Sequence, residues 1–342
     1  MQVPSALQKK IGTKFAIGFG SPLIDHLSEV AEETLTGFQL MKGGMKLVEG
    51  HEVETIRQAL PNLLSATGGS ASNTMSALAR LGARVGFGGK VGRDDWGKFF
   101  RDKLTAHGVQ NHLVQSNEGL GTGQVISLIT PGGERSFATH LGAAVSFKPE
   151  DLKDSMFQGA SLVYVEGYLI MNPPLIDRIF KMAKHFGAET AIDLASFNVV
   201  SDFKEAFLKH LDEDVDIVFA NEEEAFALTG KKDTAALDEL KKICKVAVVK
   251  LGERGSLSAN HKHEHFHPIE AVKAVDTTGA GDLYAAGFLF GHLMDLPLES
   301  CARLGSIVSR EVVQVVGANL DDSIWKKITG EVENALQLSQ KH

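Results

Sequence analysis

Short apolar runs bounded by glycine or polar clusters recur along this chain, and most are followed by residues with helical spacing. Phe15-Ala16-Ile17-Gly18-Phe19-Gly20 reads as a first buried strand ending in glycine. Further strands are predicted over 85–92, 161–167, 189–194 and 215–220, and 246–255 reads as a strand running into a glycine turn. Ala271 to Val275 alternates weakly and reads as a strand edge. Met75, Ala77, Leu78, Ala79 and Leu81 predict an apolar helix stopped by Gly82, and 96–107, 174–186, 283–294 and 302–316 predict others. From about residue 150 the strand–helix alternation is regular, as in a parallel sheet covered by helices.

Two stretches break this rhythm. Residues 26–62 are more polar, with Gly43-Gly44 and Gly50 as punctuation. Residues 121–140 alternate on either side of a Pro131-Gly132-Gly133 turn, which predicts an antiparallel hairpin. Segments of about 21–62 and 121–140 are therefore expected to form a small sheet that acts as a lid over a site. The expected organisation is one α/β domain over 1–342, with no repeat and no low-complexity linker.

Composition narrows the function classes. Hydrophobic residues make up 43% and charged residues 23% of 342, as in an ordinary globular protein. A net charge of −8 with no Lys/Arg run argues against a nucleic-acid partner. No apolar run spans a membrane, and Met1–Lys10 has no signal-peptide core, so a cytoplasmic protein is expected. Only Cys244 and Cys301 are present, which argues against a disulfide framework.

The chemistry gathers around Asp276-Thr277-Thr278-Gly279-Ala280-Gly281-Asp282, a glycine turn opening an apolar helix. Backbone N–H groups and the dipole at a helix start suit an anion. A carboxylate beside a phosphoryl group in transit can take a proton from an attacking hydroxyl, which is the role Asp282 suits. A helix cap explains Asp282 equally well. Asp25 lies just beyond the carboxyl end of the first strand, where a parallel sheet places ligands, although a turn cap would look the same. Thr67-Gly68-Gly69-Ser70-Ala71-Ser72-Asn73 is a second glycine turn at a helix start. Asn221-Glu222-Glu223-Glu224 suits either a hydrated Mg²⁺ ion or a favourable helix N-terminus. His261, His263, His265 and His267 alternate and would share one face of a strand. A solvated hairpin face accounts for them better than a zinc site, because no cysteine or carboxylate completes a set.

Taken in order, these motifs resemble the ribokinase-like, or PfkB-type, small-molecule kinases over about Phe15 to Asn319. Gly68–Asn73 resembles that family's first signature, Asp276–Asp282 its second, Asn221–Glu224 its Asn-x-x-Glu motif and Lys250–Gly255 its nucleotide-side turn. The resemblance implies a three-layer α/β/α domain with a mostly parallel sheet, and an ATP-dependent kinase acting on a hydroxymethyl group of a sugar or nucleoside. It implies Asp282 as catalytic base and Gly279, Ala280 and Gly281 as an anion hole. Asp25, Gly68, Gly69 and Asn73 would hold the acceptor, with Ser21 and Tyr168 beside them. Asn221, Lys250, Gly252, Gly255 and Ser306 would serve ATP, and Asn221 and Glu224 would organise Mg²⁺ mostly through water. Arg135 on the lid hairpin would approach the phosphates or shape closure. A monovalent cation such as K⁺, and a monomer or homodimer, are left open by the resemblance.

Phe19–Asp25 and Glu166-Gly167-Tyr168-Leu169 look more like the adenosine-kinase branch, with ribose, 2-keto-3-deoxygluconate and fructose as alternative acceptors. A nucleotide or sugar sensor on the same fold has no need of Asp282. A dehydrogenase needs a third glycine after the first strand, which Gly18-Phe19-Gly20-Ser21-Pro22 lacks.

Overall fold

The computed structural model describes residues 14–131 and 134–339. The Gly132-Gly133 turn and the first ten residues therefore lie outside the described residues. In chain order the strands are β1 Phe15–Phe19, β2 Leu23–Glu29, β3 Met45–Leu47, β4 Leu64–Gly68, β5 Arg84–Val91, β6 Gln110–Gln115 and β7 Gly123–Ile129. They continue with β8 Arg135–His140, β9 Ala160–Glu166, β10 Glu189–Asp193, β11 Ile217–Asn221, β12 Val246–Lys250, β13 Ser256–Asn260 and β14 Glu264–His267.

Nine of these form one sheet in the order β14-β13-β12-β11-β10-β9-β1-β5-β6. From β12 to β6 every pairing is parallel, and β13 and β14 add an antiparallel edge. Central strands are apolar on both faces because helices cover both. Leu162 and Tyr164 of β9 join one core, which includes the helices Ser70–Arg80, Ala280–Leu293 and Leu298–Val312. Val163 and Val165 join the other, against Pro173–His185 and its neighbours. Period-two alternation thus builds the expected three-layer, ribokinase-like α/β arrangement.

The second sheet runs β3-β8-β7-β2-β4. One of its five strands, β4, begins at Leu64, beyond residue 62. The helices Glu32–Gly37 and Gly50–Ala59 cover its outer face, burying Leu35, Val53, Ile56, Ile126, Leu128 and Ala138. The same alternation directs Asp25 to the inner face and His26 to the outer one. His26 is fully buried there, hydrogen-bonded to Ser65 at 2.8 Å and to Gln124 at 2.9 Å.

Some expectations need correcting. Ala271–Val275 is not a strand, because the N–H groups of Val275 and Asp276 bond to the Val313 carbonyl at a helix end, not to a neighbouring strand. The helix expected over 302–316 runs from Leu298 to Val312. A last helix, Asp322–Ser339, follows, and buries Ile328, Val332 and Leu336 in the core. The four histidines do not share one solvated strand. Only His265 and His267 lie within β14, both partly buried, while His261 and His263 are exposed in the preceding turn.

Candidate active site

Two glycine turns and three strand ends meet where the small sheet joins the large one. Leaving β1, the chain passes Ser21 and enters β2, which carries Asp25. β2 pairs antiparallel with β4, placing Gly68 opposite Leu23. A β-carbon on Gly68 would lie 2.2 Å from Asp25 Oδ2, so only glycine leaves that carboxylate its place. Gly69 has φ +91°, and a β-carbon there would lie 2.2 Å from the Ser21 carbonyl oxygen.

The helix Ser70–Arg80 then offers two side chains to a single acid. Ser70 Oγ donates to Asp282 Oδ1 at 2.7 Å, and Asn73 Nδ2 donates to Asp282 Oδ2 at 2.9 Å. Asp282 sits in the first turn of Ala280–Leu293, whose N-cap, Gly279, adopts φ +76°. Its carboxylate is taken up by another helix and does not cap its own. Burial pushes Asp282 up to about 6, with the Asn73 and Ser70 hydrogen bonds and the Lys250 charge opposing that rise and Asp193 adding to it. Burial also pushes Asp25 up to about 7, helped by the charge of Asp282 and opposed by Arg135. The two carboxyl groups thus sense one another.

Glu166 and Asp193 complete this floor, and neither was singled out as a site residue from the sequence. Each is a carboxylate at the last position of a parallel strand, which is the one local signal they give. Glu166 accepts hydrogen bonds from the N–H of Ser21 at 2.7 Å and of Ala71 at 3.2 Å, tying the β1 exit to the helix start. Burial pushes it up to about 7 against those bonds. Asp193 pairs with Lys250 at 2.6 Å. The Lys250 ammonium lies 2.9 Å from the point that a β-carbon on Gly281 would occupy.

Asn221 and Glu224 satisfy each other. The Asn221 side chain accepts from the Glu224 N–H, while Asn221 N–H and Nδ2 donate to the two Glu224 carboxylate oxygens, each at 2.8 Å. Glu224 is buried and pushed up to about 7, by desolvation first and by Asp193 second. Among the described residues, no three His, Cys, Asp or Glu side chains converge as a metal cage.

On the small-sheet side, Arg135 pairs with Asp276. Asp276 also accepts from Thr278 N–H at 3.0 Å, Thr278 Oγ1 at 2.8 Å and Gly317 N–H at 2.5 Å. Between the small sheet and the loops that carry Thr278 and residues 316–319 lies a cavity of about 230 Å³, lined by Asp25, Leu27, Val125, Ser127, Phe137 and Asn319. Its lining is mostly apolar, and the buried Ser127 hydroxyl has no hydrogen-bond partner among the described residues. Tyr168, 42% exposed, lies outside that lining.

On the other side, Gly252 (φ +56°) and Gly255 (φ +101°) shape the turn after β12. A β-carbon on Gly255 would meet the His267 carbonyl oxygen at 2.0 Å. Ser306 is buried with an unpartnered hydroxyl in a separate cavity of about 370 Å³, shared with His267 and Arg303. The structure therefore brings Gly68 against Asp25, Asn73 against Asp282 and Lys250 against Gly281, and leaves Tyr168 outside the cavity under the small sheet and Ser306 in a separate one.

Among the described residues no helix is long and apolar enough to cross a membrane. Residues 46–325 match the pfkB family of carbohydrate kinases. The chain is 28% identical to the adenosine kinase of Saccharomyces cerevisiae over 326 residues, covering 87% of this chain and 94% of that protein. It is 28% identical to the ribokinase of Mus musculus over 264 residues, covering 73% and 79%. Its fold is similar to that of the adenosine kinase from Sinorhizobium meliloti, with a TM-score of 0.84, 32% identity and coverage of 93% and 99%. A probable sugar kinase from Rhizobium etli CFN 42 aligns with a TM-score of 0.85, 30% identity and coverage of 94% and 99%.

Proposed function

Because this chain belongs to the pfkB carbohydrate kinase family, we propose that it phosphorylates the hydroxymethyl group of a nucleoside, with Asp282 as the general base. It is a small-molecule kinase, and ATP is its phosphate donor. The observation that carries the finer reading is the position of Asp282. It is partly buried, held by Ser70 and Asn73, near enough to Asp25 for the two charges to interact, and in the first turn of a glycine-led helix.

The acceptor's hydroxymethyl group meets Asp282 while Asp25, Gly69 and Asn73 hold its other hydroxyls. Asp282 takes the proton as the oxygen bonds to the γ-phosphorus, and the bond to the β,γ-bridging oxygen breaks to release ADP. Charge on the transferring group is met by backbone N–H groups at Gly279–Gly281 and by the helix dipole. The small sheet acts as a lid and excludes water, with Arg135 linking it to the loop that leads into the helix.

A nucleoside of the adenosine type suits the mostly apolar cavity beneath the small sheet better than a bare sugar does. The likeness to adenosine kinases supports the same choice. Tyr168 and Ser21 border the acceptor, while Lys250, Gly252, Gly255 and Ser306 border ATP. The oxygen donors of Asn221 and Glu224 fit Mg²⁺, which keeps most of its water and needs one or two carboxylates. Their mutual hydrogen bonds favour contact through that water. When bound, the ion would neutralise phosphate charge.

An ADP-release assay with adenosine, inosine, guanosine, ribose, fructose and 2-keto-3-deoxygluconate tests this. Turnover is expected to be highest with adenosine. Preference for a bare sugar overturns the acceptor assignment, and no turnover with any acceptor favours a sensor.

A further inference from the structure

We infer that Asp193 is a positioning residue, which holds the Lys250 ammonium at the start of the helix Ala280–Leu293, where that ammonium meets the transferring phosphoryl group. The inference rests on the kinase reading above.

Asp193 ends β10 and Lys250 ends β12, with β11 between them, so the pair reaches across the end of the intervening strand. Nζ and Oδ2 are 2.6 Å apart, and only 14% of the lysine side chain and 6% of the aspartate side chain are exposed. A buried ion pair gives little net stability over apolar side chains of similar size, so packing alone does not account for it. Its location is more telling. The ammonium lies 2.9 Å from the β-carbon position of Gly281 and fills the space that a side chain there would take. Burial lowers the lysine's hold on its proton, yet the Asp193 and Glu224 carboxylates outweigh that effect and raise it above the ordinary lysine range. An ammonium carries three donors, and Asp193 takes one, leaving others for phosphate oxygens. Because the lysine stem is flexible, a fixed partner is needed to keep the charge on station.

The test uses the full-length protein, ADP release with the best acceptor, and thermal unfolding. Asp193→Asn should lower kcat on the order of 10²-fold, with the acceptor KM near wild type. Lys250→Met should do at least as much. Each single change leaves a charge buried and unpaired and should lower Tm. The double variant Lys250→Met with Asp193→Asn should regain Tm while turnover stays low. If Asp193→Asn keeps wild-type kcat, or the double variant regains turnover with its Tm, the pair is structural and the inference fails. Wild-type protein inactive with every acceptor would instead overturn the kinase reading, and this inference with it.

Discussion

Asn73 donates its side-chain amide to Asp282 Oδ2 at 2.9 Å, joining two helix starts that are 209 residues apart in the chain. This bond and that from Ser70, with the Lys250 charge, keep the acid's affinity for a proton below what burial alone would give. Asn73→Ala should therefore raise the pKa of the base. The acid limb of kcat/KM should move to higher pH, and turnover at neutral pH should fall. A pH–rate profile of wild type and variant checks this, and an unmoved limb counts against the coupling.

Ionisation should pull activity and stability in opposite directions. The base works unprotonated, so kcat/KM should rise with pH through about 6 and level off above it. Asp25 is raised from 3.8 to about 7 in the folded chain, so the folded state holds its proton more tightly than the unfolded state does. Its contribution favours folding at low pH and is lost as pH rises towards 7. Asp25→Asn abolishes that ionisation. Thermal unfolding between pH 5 and 8 should show the Tm advantage of the variant over wild type widening as pH rises.

Gly68 keeps Asp25 in place by having no side chain, since a β-carbon would lie 2.2 Å from Oδ2. Gly68→Ala should raise the acceptor KM about tenfold or more, because a small displacement of an orienting group is costly. The ATP KM should barely change. Initial rates with each substrate varied in turn separate the two effects.

Much of this was legible locally. Glycine turns before apolar helices marked Gly68–Asn73 and Gly279–Asp282, and apolar strand runs alternating with helices marked a parallel sheet covered by helices, while its three layers came from the family resemblance. What stayed hidden depended on partners far away in sequence. Glu166 finds the Ser21 N–H 145 residues upstream, and Asp193 finds Lys250 57 residues downstream. Neither has a local motif beyond a charge at the end of a strand. The spacing of Trp325, Ile328, Val332 and Leu336 describes a helix face, but the last helix predicted was 302–316 and the resemblance stopped at about Asn319. Val275 has strand-forming chemistry, yet a helix-end carbonyl claims its N–H.

Arg135 and Asp276 link the small sheet to the loop before the anion hole, and both side chains are largely buried. Removing the arginine leaves Asp276 without its counter-charge, with only the Thr278 and Gly317 donors, at a cost of up to about 3–5 kcal/mol for a buried pair. Arg135→Ala should therefore speed hydrogen exchange in 23–29 and 123–140 and raise both KM values. Asp276→Asn in the same chain should restore much of the stability but not the closure. Unchanged exchange in the single variant would show that the link does not hold the sheet down.

The central claim is that the Asp282 carboxylate takes the proton from the acceptor. Asp282→Asn keeps the shape and loses the base. Single-turnover phosphoryl transfer, measured alongside calorimetric ATP binding, tests it most directly. The predicted result is a rate lowered about 10²–10⁴-fold with ATP affinity near wild type. A rate within a few-fold of wild type would contradict it.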